Sequence, residues 1–133
     1  MGEAVTTRTA QCRCGQLSAT CEGEPVRVSV CHCLECQKRS GSAFSFQARW
    51  PLEQVRIAGT WKTWEQTGAN GTATFRFCPE CGATLAYEIP ALPGLIAIAV
   101  GNFADPGFPP PKFSVWEVRK HPWLRIEGEV EHD

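Results

Sequence analysis

Cys31-His32-Cys33-Leu34-Glu35-Cys36 sets a Cys-x-Cys directly into a Cys-x-x-Cys, and the rest of the chain is read outward from it. Zinc takes four ligands in a tetrahedron, and three protein ligands leave the fourth position to water or substrate, as in a catalytic site. Cys31, Cys33 and Cys36 therefore read as an open metal site. A second closed, structural site is the competing reading, with His32 as the obvious fourth ligand. In an extended segment, however, His32 would point away from its two neighbours. Leu34 to Arg39, closed by Ser40-Gly41, is the one good helix candidate. Cys36 would lie near its start, where the helix dipole favours a thiolate.

Two further pairs flank this cluster, Cys12-Arg13-Cys14-Gly15 and Cys78-Pro79-Glu80-Cys81-Gly82. In the second, proline stiffens the turn and glycine tolerates the left-handed backbone that often follows. In the first, residues two apart in an extended segment face the same side. Cys12, Cys14, Cys78 and Cys81 together would close a four-thiolate structural zinc site. Such a site closes a long loop, which gives the metal leverage on folding. Spacing alone leaves the partition open, since Cys31 and Cys33 with Cys78 and Cys81 would also close a site. Cys21, the eighth cysteine, shares its strand face with Leu17 and Ala19 and reads as a small buried hydrophobe.

Composition narrows the function classes. The 133 residues suit one domain, expected as a flexible N-terminus over 1–8, a zinc-binding domain over 9–126 and a tail over 127–133. A formal net charge of -1 lacks the basic footprint of a nucleic-acid binder, so no nucleic acid is expected. No apolar run approaches a membrane span, and residues 1–9 lack the apolar core of a secretory signal. A cytoplasmic location follows as the expectation. There thiols stay reduced and clustered cysteines bind metal rather than pair; a secreted domain that has lost its signal is the alternative.

Period-two alternation dominates the chain, predicting a mainly β domain. Leu17/Ala19/Cys21, Val26/Val28/Val30, Ala73/Phe75/Phe77 and Leu85/Tyr87/Ile89 each mark one strand face. Leu95 to Val100 has no alternation and reads as a central strand covered on both faces. Phe113 to Val118 reads as a late strand. Val55 to Ile57 and Trp61 to Glu65 look like a pair around Ala58-Gly59. Trp50, Trp61, Trp64, Trp116 and Trp123 read as core. Lys38, Arg39 and Arg49 lie near the central cluster, as an electropositive mouth for an anionic substrate or as a solvated face.

The order Cys12-x-Cys14-Gly15, Cys31-His32-Cys33-x-x-Cys36 with Ser40-Gly41-Ser42-Ala43-Phe44, then Phe77-Cys78-x-x-Cys81-Gly82 resembles the glutathione-dependent formaldehyde-activating enzyme family, which includes centromere protein V. The likeness runs from Cys12 to Trp123, with Gly101 to Pro106 and Pro122-Trp123. It implies an Mss4-like, mainly antiparallel β fold. It also implies a structural zinc on Cys12, Cys14, Cys78 and Cys81, and a catalytic, more labile zinc on Cys31, Cys33 and Cys36. The activity it implies is a carbon–sulfur lyase that joins and separates formaldehyde and glutathione as S-hydroxymethylglutathione, with a small-molecule thiol as partner and no membrane. No glutathione-binding residues can be matched. Two other readings stay open: a two-zinc scaffold or binding module without catalysis, and a thiol redox protein.

Overall fold

A computed structural model describes residues 5–133. The chain order is β1 (Thr7–Gln11), β2 (Ser18–Glu22), β3 (Arg27–Cys31), α1 (Leu34–Ser40), β4 (Ser45–Pro51), β5 (Val55–Ala58), β6 (Lys62–Gly68), β7 (Gly71–Phe77), β8 (Thr84–Glu88), β9 (Leu95–Ala99), β10 (Phe113–Val115) and β11 (Glu131–His132). Single 3-10 turns follow β4, β9 and β10. The mainly β expectation holds, with one short α-helix after the central cysteines among the described residues.

A large sheet runs β11-β10-β3-β4-β9-β8-β7-β6, and a small one runs β1-β2-β5. Pairing is antiparallel except that β10 runs parallel to both β3 and β11. The main core includes Leu17, Ala19 and Cys21 from the small sheet and Val28, Ala48, Trp50, Ile96 and Ile98 from the large one. Trp50 is fully buried beside Phe103 and Phe108; truncating such a side chain costs roughly 3–5 kcal/mol. β9 lies between β4 and β8, and Ile96, Ala97 and Ile98 are all buried, as its unbroken apolar run predicts.

β4 organises the other face of the large sheet. Phe46, Ala48 and Trp50 point toward the core, while Ser45, Gln47 and Arg49 alternate with them and are buried as well. Its neighbour β3 is registered Arg27↔Arg49, Ser29↔Gln47 and Cys31↔Ser45. Thus the first cysteine of the central cluster closes a row of polar side chains on the face opposite the core.

Several expectations need correction. β1 begins at Thr7, so Thr7 and Arg8 are strand rather than loose terminus, while residues 1–4 lie outside the described residues. In the expected tail, Glu131 and His132 pair with Phe113 and Ser114. Val55–Ala58 pairs with β2, and Lys62–Gly68 pairs with β7, so the two do not form a hairpin. The reason lies at Gly59, which has φ +101 and sits so close to Gln16 that an added Cβ would stand 2.0 Å from its carbonyl oxygen. There the chain leaves the small sheet for the large one. The late strand ends at Val115 because Trp116 turns to φ 59. Of the five tryptophans only Trp50 is core; Trp61, Trp64, Trp116 and Trp123 are exposed.

Candidate metal centres and their cavity

The fold brings Cys12, Cys14, Cys78 and Cys81 into one group and Cys31, Cys33 and Cys36 into another, with ligand atoms in each within 4.8 Å of one another. The grouping of Cys31 and Cys33 with Cys78 and Cys81 does not form. All eight cysteines are free thiols. Cys21 is fully buried in β2 and belongs to neither group.

In the four-sulfur group, Cys12 and Cys14 follow β1, and Cys78 and Cys81 follow β7. Cys14 Sγ lies 3.6 Å from Cys12 Sγ and 3.7 Å from Cys78 Sγ. A tetrahedron with Zn–S near ~2.3 Å has edges of about 3.8 Å, so the sulfurs fit such an ion. N–H donors surround them. Gln16 Nε2 donates to Cys78 Sγ at 2.9 Å, Glu80 N to Cys78 Sγ at 3.4 Å and Leu17 N to Cys12 Sγ at 3.3 Å. Burial works against a charged Cys78, but Gln16 and the backbone N–H groups of Cys81 and Glu80 outweigh it and bring its pKa down to about 6. Gln16 is itself locked: its Nε2 also donates to Thr60 O at 2.7 Å, and Thr60 N donates to its Oε1 at 2.9 Å.

The three-sulfur group sits where β3 turns into α1. Cys31 ends the strand, Cys33 is the helix N-cap with its sulfur accepting from Cys36 N at 3.3 Å, and Cys36 lies in the first turn. Gly41 closes the helix with φ 66, its N–H donating to Gln37 O. The Cys31 thiol donates to Cys36, and Ser45, Cys33 and the charge of Arg39 add to this, so the Cys36 pKa falls to about 5. The same bond with Cys36, together with burial, pushes Cys31 up. Each group therefore holds a sulfur that ionises readily, as a metal ligand must.

His32 is no part of the group. It is fully buried on the other side of the segment, with Nε2 at 2.9 Å from Ser114 Oγ. Gln37 braces this corner from the helix, donating to His32 O at 2.8 Å while its Oε1 meets His121 Nε2 at 2.9 Å.

A cavity of about 540 Å³ opens beside the three-sulfur group, and Cys31 and Cys36 line it. Its floor is the polar row Arg27, Ser29, Gln47 and Arg49; its walls include Phe75 and Tyr87, and Trp64 and Trp116 stand at its exposed edge. None of Cys12, Cys14, Cys78 and Cys81 lines it. Within the row, Ser45 Oγ donates to Gln47 Oε1 at 2.8 Å and Gln47 Nε2 donates to Ser29 Oγ at 2.9 Å. The sequence reading names Arg49 as part of an electropositive mouth but misses Arg27, Ser29 and Gln47 of this floor, and Gln16. The strict alternation of Ser45-Phe46-Gln47-Ala48-Arg49-Trp50 is the signal that could have found the floor.

No helix among the described residues is long and apolar enough to cross a membrane. A search of curated proteins finds no match. A crystal structure of a Rhodobacter sphaeroides protein is similar in fold, with TM-score 0.59 and 18% identity over 77% of this chain and 91% of that one. The family described as glutathione-dependent formaldehyde-activating enzyme matches residues 7–119, a span holding both cysteine groups and nearly all of the two sheets. The chain belongs to that family.

Proposed function

We propose that this protein is a zinc-dependent carbon–sulfur lyase that makes and breaks the bond between a thiol sulfur and a carbonyl carbon, with S-hydroxymethylglutathione as the type of adduct. The observation that carries the reading is the contrast in access. Two sulfurs of the three-sulfur group, Cys31 and Cys36, open onto a cavity large enough for a small thiol, while none of the four other clustered sulfurs lines it. Cys12, Cys14, Cys78 and Cys81 would hold a structural zinc, and Cys31, Cys33 and Cys36 a catalytic one.

At the central site Cys31, Cys33 and Cys36 would hold a zinc, which would supply Lewis acidity and favour the thiolate form of a thiol bound beside it. The chain's own residues do the rest. Cys36, acidified by its neighbours, joins Cys31 and Cys33 as the ligand set. The faces of Phe75 and Tyr87 and the rim of Trp64 and Trp116 exclude water around the reacting thiol. In the condensing direction a sulfur–carbon bond forms as the carbonyl π bond opens, and the thiol's proton ends on the carbonyl oxygen. Cleavage is the reverse, and nothing is oxidised or reduced. Glutathione or another low-molecular-weight thiol fits this reading, as does a cytoplasmic location, where such thiols stay reduced.

The test is two-dimensional NMR exchange on glutathione plus formaldehyde, with and without catalytic amounts of zinc-loaded protein. The adduct forms spontaneously, so the expected result is faster exchange that disappears with Cys33→Ala. No acceleration with both metals bound would overturn the reading.

A further inference from the structure

Arg49 is 7% exposed, yet among the described residues its one side-chain hydrogen bond is a weak one, Nη1 to Ser29 Oγ at 3.5 Å. Ser29 Oγ already accepts from Gln47 Nε2 at 2.9 Å. Arg39 reaches the same place from the helix, and its Nη2 is buried with no hydrogen-bond partner. Both guanidiniums address one ring, with Arg39 4.6 Å and Arg49 5.7 Å from the centre of Tyr87. Arg49 is a buried charge, and Arg39 is half-buried with one of its guanidinium nitrogens shut away from water. A buried guanidinium without a carboxylate partner is costly to keep, and at the wall of a cavity a ligand can supply the missing charge.

The charge balance of the cavity agrees. Glu35 is its one acidic lining residue, and it is taken by Lys38 at 3.1 Å. Among the described residues, Arg27, Arg39 and Arg49 have no carboxylate partner. Three thiolates around a divalent cation carry a net charge of minus one, so the central cysteines do not neutralise three guanidiniums. The remaining positive charge sits in a chain whose formal net charge is -1, and is therefore local to this cavity. Guanidinium forks donate two parallel hydrogen bonds to a carboxylate, which Gln, Ser or Tyr cannot match.

We propose that Arg49, assisted by Arg39, is the carboxylate anchor of the cavity, so that its substrates are thiols, and carbonyl adducts of thiols, that carry a carboxylate. This rests on the reading that the cavity delivers a thiol to Cys31, Cys33 and Cys36. Neutral and cationic thiols reach the same sulfurs but lack the anchor. Arg49 is a specificity-determining residue and Arg39 a second donor that steadies the same group.

The experiment compares N-acetylcysteine with N-acetylcysteine amide, which differ in one carboxylate, by isothermal titration into the zinc-loaded full-length protein. The acid is expected to bind about tenfold more tightly or better, the scale of a charge-assisted pair. That preference should vanish in Arg49→Gln and shrink in Arg39→Gln, with circular dichroism confirming that each variant is folded. Because Arg39 sits half-exposed on the helix, its variant keeps the test open if Arg49→Gln does not fold. Equal binding of acid and amide to the unaltered protein would overturn the proposal, as would a full preference retained in both folded variants. The NMR exchange assay separates the two claims. Carboxylate-dependent binding without acceleration keeps the anchor and removes the lyase reading. Acceleration that is equal for acid and amide does the opposite.

Discussion

The four-sulfur and three-sulfur groups use the same local devices, closely spaced cysteines at the ends of strands with N–H groups aimed at sulfur, yet their surroundings are opposite. The first joins the end of β1 to the end of β7, a separation of 64 residues from Cys14 to Cys78, and does not line the cavity beside the second. The second lies within six residues of chain, already held by the β3 strand and the cap of α1, and opens to a cationic cavity. A cross-link between distant segments restricts the unfolded chain strongly, whereas one between near neighbours restricts it little. On the proposed reading, the first group would serve the fold and the second the chemistry.

Stability separates them most sharply. In the cross-link estimate, closing a loop of this length is worth about 4 kcal/mol. Cys78→Ser should remove most of that, seen as a large drop in the urea midpoint, and should cost metal content as well. Cys33→Ala should leave the midpoint close to that of the unaltered protein while abolishing exchange activity. Equal midpoints for the two variants would break the comparison, and so would an unfolded Cys33→Ala protein.

A subtler difference concerns Gln16, which grips Cys78 and is gripped in turn by Thr60. Outer partners of metal ligands typically tune affinity by ~10–100-fold. Gln16→Ala should weaken metal retention at the four-sulfur group by about that factor, measured by competition with a chelator, and leave the three-sulfur group unchanged. Loss of metal from both groups would mean that they are coupled through the sheets rather than independent.

Much of this contrast was legible in the sequence, and where legibility ended has a physical cause. Short motifs announce themselves because their chemistry is local: Cys12-x-Cys14, Cys78-x-x-Cys81 and the central run name their own candidate ligands. Strands with one apolar face are equally plain, as in β2 and β7. Most of the cavity floor was opaque because Gln47 and Arg49 are polar side chains that face inward, and alternation ordinarily assigns such residues to solvent, even though Arg49 was picked out by its place near the central cysteines. Their burial comes from β3 and from Tyr87 across the sheet, which local pattern does not contain. The expected hairpin at Ala58-Gly59 failed for a related reason. A glycine between two strand-like runs signals a turn, but its close approach to Gln16, far away in sequence, sends the chain to another sheet.

Cys21 offers the smallest and cleanest test, because it is the cysteine that neither group claims. It is fully buried between β1 and β5, paired with Arg8 on one side and Val55 on the other. Burial pushes its thiol up to about 12, so it stays protonated and inert near neutral pH. Loss of a folded-state thiolate therefore plays no part in its contribution, which is packing alone. Cys21→Ala should cost about 1 kcal/mol, retain the metal content of the unaltered protein, and leave exchange activity intact. In the folded protein Cys21 should also resist alkylation at pH 8, and become reactive once denaturant exposes it. A variant that lost metal would show that the small sheet positions the four-sulfur group through Cys21. The division of labour would then extend into the core, since β1, which leads into Cys12, pairs directly with the strand that carries Cys21.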